Sequence, residues 1–445
     1  VGTFNRGEVE MNRYWLKLAG ISAVAATILL LYWLIPHLPK IASADRFTPE
    51  TIATSPSTPS DVSSPTTAPQ IGKVNEKLVA ANTNFGFKLF SQIRQQEGKK
   101  NVFVSPTSIA IALSMTYNGA AGETQSDMAK ALELQGISLA EVNRGNKEIK
   151  ALLENPDSGI QLAIANSLWT KKEIAFKPEF IQQNQEFYRA KVTDLDFKDP
   201  NVKDIINNWV KESTKGKIDR IVEEIKPDDV LFLINAIHFK GNWARKFDSS
   251  QTANYPFYLL DGKSKQHPMM SQSGKYKYFE NESFQAVSLP YDKERFSFYI
   301  FLPKKSTTLD AFSQQLTAQN WEAWMKKFRQ REGSIRIPRF KLEYENELAS
   351  TLKALGMRSA FEPGKANFSQ MTAESVFISQ VKHKTFVEVN EEGTEAAAST
   401  SVGISITSAP VEEPFNLVVD RPFFCAIRDD RTGTILFMGS IVEPN

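Results

Sequence analysis

Apolar positions change their rhythm along this chain. Between 75 and 95, Leu78, Phe85, Leu89 and Ile93 return at helical intervals. That spacing predicts an amphipathic helix with these four side chains on a core. Ser105-Pro106 then offers a capping hydroxyl and a first-turn proline ahead of a nearly all-apolar run to Gly119, which predicts a buried helix. A third helix is expected at 123–132. Strand-like runs follow at 160–169, 229–239, 284–290, 296–302, 335–342, 376–390 and 415–441. Helices are expected between them at 202–213, 308–327 and 346–355, the last closed by Gly356. The first half is helix-rich and the second strand-rich. The fold class expected is α+β, with large, mostly antiparallel sheets.

One stretch keeps a strand's rhythm with side chains too small for a core. In Glu391–Ser408, Thr394, Ala396, Ala398, Thr400, Val402, Ile404 and Ile406 share one parity. The other parity is mostly Ser, Ala, Gly and Glu. Period two marks a half-buried strand. Ala, Ser, Thr and Gly cannot hold one in place by themselves. Both facts fit an exposed loop, jointed at Glu391 to Gly393, that can later become a central strand.

The two ends differ from the middle. Residues 1–44 read as a leader: Arg13 and Lys17 precede an uncharged apolar run from Leu18 to Ile35, and Ala42-Ser43-Ala44 fits a signal-peptidase site. A removed signal peptide and a retained membrane anchor through residues 18–35 both fit. Either exports the rest of the chain, to an extracellular or periplasmic location. Residues 45–72 are a Ser/Thr/Pro-rich linker with too few apolar groups to fold. From 73 to 445 the chain reads as one globular domain.

Composition narrows the chemistry. The 53 basic and 51 acidic residues leave a net charge of +2 and no basic stripe, so nucleic acid is not expected as a partner. A polyanion cofactor is not expected either, because 139–153 is mixed in charge. The lone Cys425 sits in the apolar PFFCAI and reads as a buried small hydrophobe. Only four histidines occur, and GxSxG, HExxH and paired CxxC motifs are absent from the sequence. The chain therefore does not read as an enzyme, and no metal or other cofactor is expected.

The alternating segment resembles the hinge and reactive-centre loop of the serpins, with Glu391, Gly393, Thr394, Ala396, Ala397, Ala398 and Thr400 on the family pattern. The resemblance extends over roughly 75–445. It includes NVFVSPTSIAIALSMTYNGAAGET, LFLINAIHFKGNWARKFD, FISQVKHKTFVEVNEEGTEAAAST and DRPFFCAIRDDRTGTILFMGSI, in the family's order. It implies the serpin fold, a monomer, and a suicide inhibitor of serine proteases. It further implies a polar cluster under the main sheet, formed by Ser105, Ser108, Asn166, Asn235 and His383. Where the loop meets the sheet it implies Trp243 and an ion pair between Arg339 and Glu391. Family spacing puts the reactive bond at Thr407–Ser408, with Ile406–Thr407 as second choice.

Target class follows from what the loop lacks. From Thr394 to Pro414 it has no Lys, Arg or aromatic residue. A trypsin-type pocket would keep an unpaired carboxylate, and a chymotrypsin-type slot would be underfilled. Elastase-like or subtilisin-like enzymes fit. In the implied mechanism the protease forms an acyl-ester, and the cut loop enters the main sheet before water arrives. Ladder hydrogen bonds, at about 0.5–1.5 kcal/mol each, nearly cancel the backbone ordering cost of about 1–2 kcal/mol per residue. Burying Val402, Ile404 and Ile406 adds about 1.5–3 kcal/mol each and tips the balance. A non-inhibitory serpin, serving as carrier, chaperone or storage protein, is the alternative.

Overall fold

A computed structural model describes residues 74–154, 159–226, 228–394 and 413–445. The first helix, α1 (Glu76–Glu97), begins where the Asn75 side chain accepts hydrogen bonds from the Lys77 and Leu78 amides. Leu78, Phe85, Leu89 and Ile93 are all fully buried along it. After β1 (Val102–Val104), Ser105 caps α2 (Pro106–Tyr117), whose residues are all buried. It lies inside the molecule, as its apolar composition requires. Next come α3 (Gly122–Ala131), α4 (Leu139–Glu154), β2 (Ile160–Lys171), α5 (Pro178–Tyr188), β3 (Lys191–Leu195), α6 (Val202–Ser213) and β4 (Leu231–Asn242).

The second half is mainly strand: β5 (Ala253–Tyr258), β6 (Ser264–Glu280), β7 (Phe284–Pro290) and β8 (Phe296–Pro303). Two short helices, α7 (Leu309–Ser313) and α8 (Ala318–Met325), replace the single helix expected over 308–327. Thr308 and Thr317 each cap a new start, so the second threonine divides the run. The expected strand at 335–342 is divided too: β9 (Arg329–Pro338) ends at its proline and β10 (Phe340–Glu347) begins beyond it. The chain closes with α9 (Ala349–Ala354), β11 (Gln380–Asn390), β12 (Gly393–Thr394), β13 (Phe415–Val418), β14 (Phe423–Asp429) and β15 (Ile435–Ile441).

The strands form two sheets. One has nine strands, in the order β1-β15-β14-β8-β7-β6-β9-β13 with β5 on β6. The other has six, in the order β10-β11-β12-β4-β2-β3. Most pairings are antiparallel, and the fold is α+β. The exception that matters is the middle of the six-stranded sheet. There β11 and β4 run parallel and pair directly from Gln380–Phe232 to Phe386–His238. One face of that sheet packs on the main core with α2, and the other on a smaller core with α6.

Candidate functional site

The parallel seam between β4 and β11 carries a polar cluster at its middle. Asn235 and His383 are register partners across it, and Asn166 faces Asn235 from β2. The cap of α2 brings Ser105 and Ser108 up from below. The Ser105 amide donates to His383 Nε2 at 3.2 Å, and His383 Nδ1 meets Asn235 Oδ1 at 2.6 Å. An amide can only donate, so Nε2 accepts and the proton sits on Nδ1. Asn235 Nδ2 donates to Ser108 Oγ at 2.6 Å and to Asn166 Oδ1 at 2.5 Å. All five residues are buried. Burial depresses the His383 pKa to about 3, which keeps the ring neutral.

Higher along the seam the two strands part. At Val389 the register partner is no longer β4 but Thr394 of β12. Gly393 and Thr394 pair in turn with Asn242 and Gly241 of β4. Gly393 and Thr394 of the alternating segment are thus already seated between β4 and β11. Thr394 is fully buried, and its Oγ1 lies 2.6 Å from the Tyr291 hydroxyl. This departs from the exposed position expected for Thr394. Close approach explains both glycines. A Cβ on Gly393 would overlap the Gly241 carbonyl, and one on Gly241 would crowd the Phe239 and Tyr291 rings.

The turn before β12 is tied down. Trp243 donates from its ring to the Asn390 carbonyl and from its amide to the Glu392 carbonyl, both at 2.9 Å. The Phe247 amide binds the Glu391 carbonyl at 2.9 Å. Trp243 stacks on Tyr291, with centroids 4.6 Å apart and planes 10° apart. Arg339 Nε lies 3.5 Å from Glu391 Oε2, and the Thr252 hydroxyl donates to the other carboxylate oxygen at 2.7 Å. Lys246 pairs with Glu392.

The structure therefore brings Ser105, Ser108, Asn166, Asn235 and His383 into one network, and Trp243, Arg339, Glu391, Gly393 and Thr394 into another above it. Ala396, Ala397, Ala398, Thr400 and the bond Thr407–Ser408 lie outside the described residues, as do the leader and the linker. Among the described residues, no helix is long and apolar enough to cross a membrane. Sequence reasoning missed Tyr291, Gly241 and Thr252. Nothing in their local pattern marks them; they matter only once the register of β12 is known.

Known proteins resemble this chain over most of its length. The family model for "Serpin (serine protease inhibitor)" matches residues 80–444. A leukocyte elastase inhibitor of the horse is 36% identical over 382 residues, covering 83% of this chain and all of that protein. Among solved structures, the thermophilic serpin tengpin in its native state aligns with a TM-score of 0.77 and 33% identity. That alignment covers 84% of this chain and 95% of tengpin's. Human thyroxine-binding globulin complexed with thyroxine aligns with the same TM-score and 27% identity, over 83% of this chain and 99% of its own.

Proposed function

This chain belongs to the serpins, a family of protease inhibitors rather than enzymes, and from that premise we propose that it is a suicide inhibitor of an elastase-like or subtilisin-like serine protease. One observation carries the proposal: Gly393–Thr394 already stands as a strand between β4 and β11, at the open end of a parallel seam. A strand added below it would run antiparallel to both neighbours, as β12 does. Insertion of a serpin loop into a sheet is a recognised mode of strand addition.

The chemistry then follows in steps. The protease serine attacks at Thr407–Ser408, expels the Ser408 amine and keeps Thr407 as an ester. The freed segment zips downward from Thr394, displacing the β4–β11 pairing. Ser105, Ser108, Asn166, Asn235 and His383 keep hydrogen bonds on offer while the seam opens, so parting it leaves no sealed apolar joint to break. About 14 inserted residues carry the ester some 45 Å. Trp243, Arg339 and Glu391 hold the turn from which the zipper starts. A single chain supplies both loop and sheet, so the inhibitor acts as a monomer. Its basic-then-apolar leader suits an exported protein, as a cleaved signal or a retained anchor.

Incubation with pancreatic elastase and with subtilisin, read on a denaturing gel, tests this reading. The expected result is a covalent band and a released fragment that mass spectrometry places at Ser408–Asn445. Full cleavage with no covalent band would overturn the inhibitor reading in favour of a carrier; thyroxine-binding globulin, on a similar fold, is complexed with a small ligand.

A further inference from the structure

A histidine outside the seam touches the network that holds the turn before β12. His267 lies near the start of β6, 7% exposed, as the register partner of Tyr255 on β5. Its Nε2 meets the carbonyl oxygen of Arg339, the single residue that links β9 to β10. A carbonyl can only accept, so Nε2 carries the proton. The next residue completes the grip: the Arg339 amide donates to the Pro268 carbonyl at 3.1 Å. The N–H and the C=O of Arg339 are therefore both bound by β6.

The Arg339 side chain has little else to fix it. It is 47% exposed, and its Nε reaches Glu391 Oε2 at 3.5 Å. An exposed pair at that distance is weak, because ordering a long side chain offsets most of the attraction. Fixing the backbone from which the guanidinium starts reduces that cost. Glu391 is more constrained: its side chain is 11% exposed, and its other oxygen is bound by Thr252. The geometry of the pair is thus decided on the Arg339 side.

Charge makes the grip conditional. The charged groups facing the ring are Lys265, on its own strand, and Arg339. Both are cations, and each already has a carboxylate partner, Glu443 and Glu391 respectively. Tyr255, opposite on β5, lies beneath the Arg336 guanidinium at 3.8 Å. A proton on Nδ1 would leave the Nε2–H donor in place and add a third positive charge beside Lys265 and Arg339. Burial lowers the ring's pKa, the Arg339 carbonyl partly restores it, and the two cations lower it again.

We propose that His267 positions Arg339 for its pair with Glu391, and does so only while the ring is neutral. Protonation would loosen the turn from which the loop enters the sheet, so acid would let the uncut segment advance. That consequence rests on the insertion reading; the positioning itself does not.

The Arg339 Nε–H resonance of the full chain, followed by NMR from pH 7.5 to 4.5, tests the positioning. It should shift with the midpoint of the His267 ring, below about pH 6.5. The coupled shift should vanish in His267→Gln, whose amide still donates. A ring that stays neutral throughout, or an Arg339 signal indifferent to it, would overturn the proposal. Storage at pH 5 or 7.4, followed by assay against elastase at pH 7.4, tests the consequence. Wild type should lose trapping capacity about fivefold faster at pH 5, the effect of one like charge beside a part-screened pair. His267→Gln should match wild type at pH 7.4 and outlast it at pH 5. His267→Val, which lacks the donor, should lose capacity faster at both. Equal rates in all three would overturn the role of His267. A coupled Arg339 shift in a chain that never traps a protease would support the positioning and sink the inhibitor reading instead.

Discussion

His383 ties a buried ring's proton to the stability of the seam. Its partners fix a neutral tautomer: the Ser105 amide donates to Nε2, and Nδ1–H points at Asn235. In the folded chain its pKa falls to about 3, whereas an unfolded histidine titrates near 6.5. Between those values the unfolded chain binds a proton that the folded chain refuses. Stability is therefore complete above about pH 6.5 and is lost as pH falls, by about 1.4 kcal/mol per unit per histidine. His238, buried beside Phe386 and shifted to about 4, acts in the same direction. Urea unfolding between pH 6.5 and 5 should show wild type losing stability more steeply than His383→Gln, in which His238 and the less buried His267 still act. Equal slopes would mean that the ring is not held neutral. The polar character of these positions was readable in the chain, but their meeting was not. Ser105 and His383 are 278 residues apart, and only family likeness brought them together before the register was known.

At the scale of the element, β12 is the shortest strand among the described residues and is held on every side. Its two residues are hemmed in by the Gly241 backbone, the Tyr291 hydroxyl and the tethered turn at 390–392. A guanidinium cannot enter the space that Thr394 fills, because an unpaired buried charge costs several kcal/mol. The arginine of Thr394→Arg would stay outside, and β12 with it. The seven β4–β11 register pairs from Gln380–Phe232 to Phe386–His238 lie below and do not depend on it. The variant should therefore fold, with the Tm lowered by a few degrees. It should be cleaved by elastase and should no longer trap it. Undiminished yield of covalent complex would refute the zipper's starting point. Alternation from Glu391 to Ser408 marked this stretch as strand-like in the sequence. Its present state was not readable, because seating depends on whether two distant strands have already parted. Other elements were hidden for a plainer reason. β6 exposes much of its length and mixes Lys, Ser, Gln and Gly among few apolar residues, so period two never emerged. α4 gave the same difficulty, since its apolar stripe is interrupted by buried Asn143, Asn146 and Lys150.

For the whole molecule, the parallel seam is where the proposed insertion would add a strand. β4 and β11 are both long and central, yet they pair directly with each other only below the point where β12 has entered. Inserting the rest of the segment would give each a new antiparallel neighbour and bury Val402, Ile404 and Ile406. Those three side chains contribute about 5–9 kcal/mol in total. Each kcal/mol moves the melting point of a domain this large by about 2 °C. A single cut between Thr394 and Pro414 should therefore raise the Tm by about 10–20 °C, measured by calorimetry on nicked and intact protein. The direction is the informative part, since cutting a loop ordinarily leaves stability unchanged or lowers it. A nicked protein that melts with the intact one would place the segment outside the sheet, and no stored energy would then remain to distort a captured protease. A large rise in wild type that is abolished in Thr394→Arg would locate the source of that energy in the seam between β4 and β11.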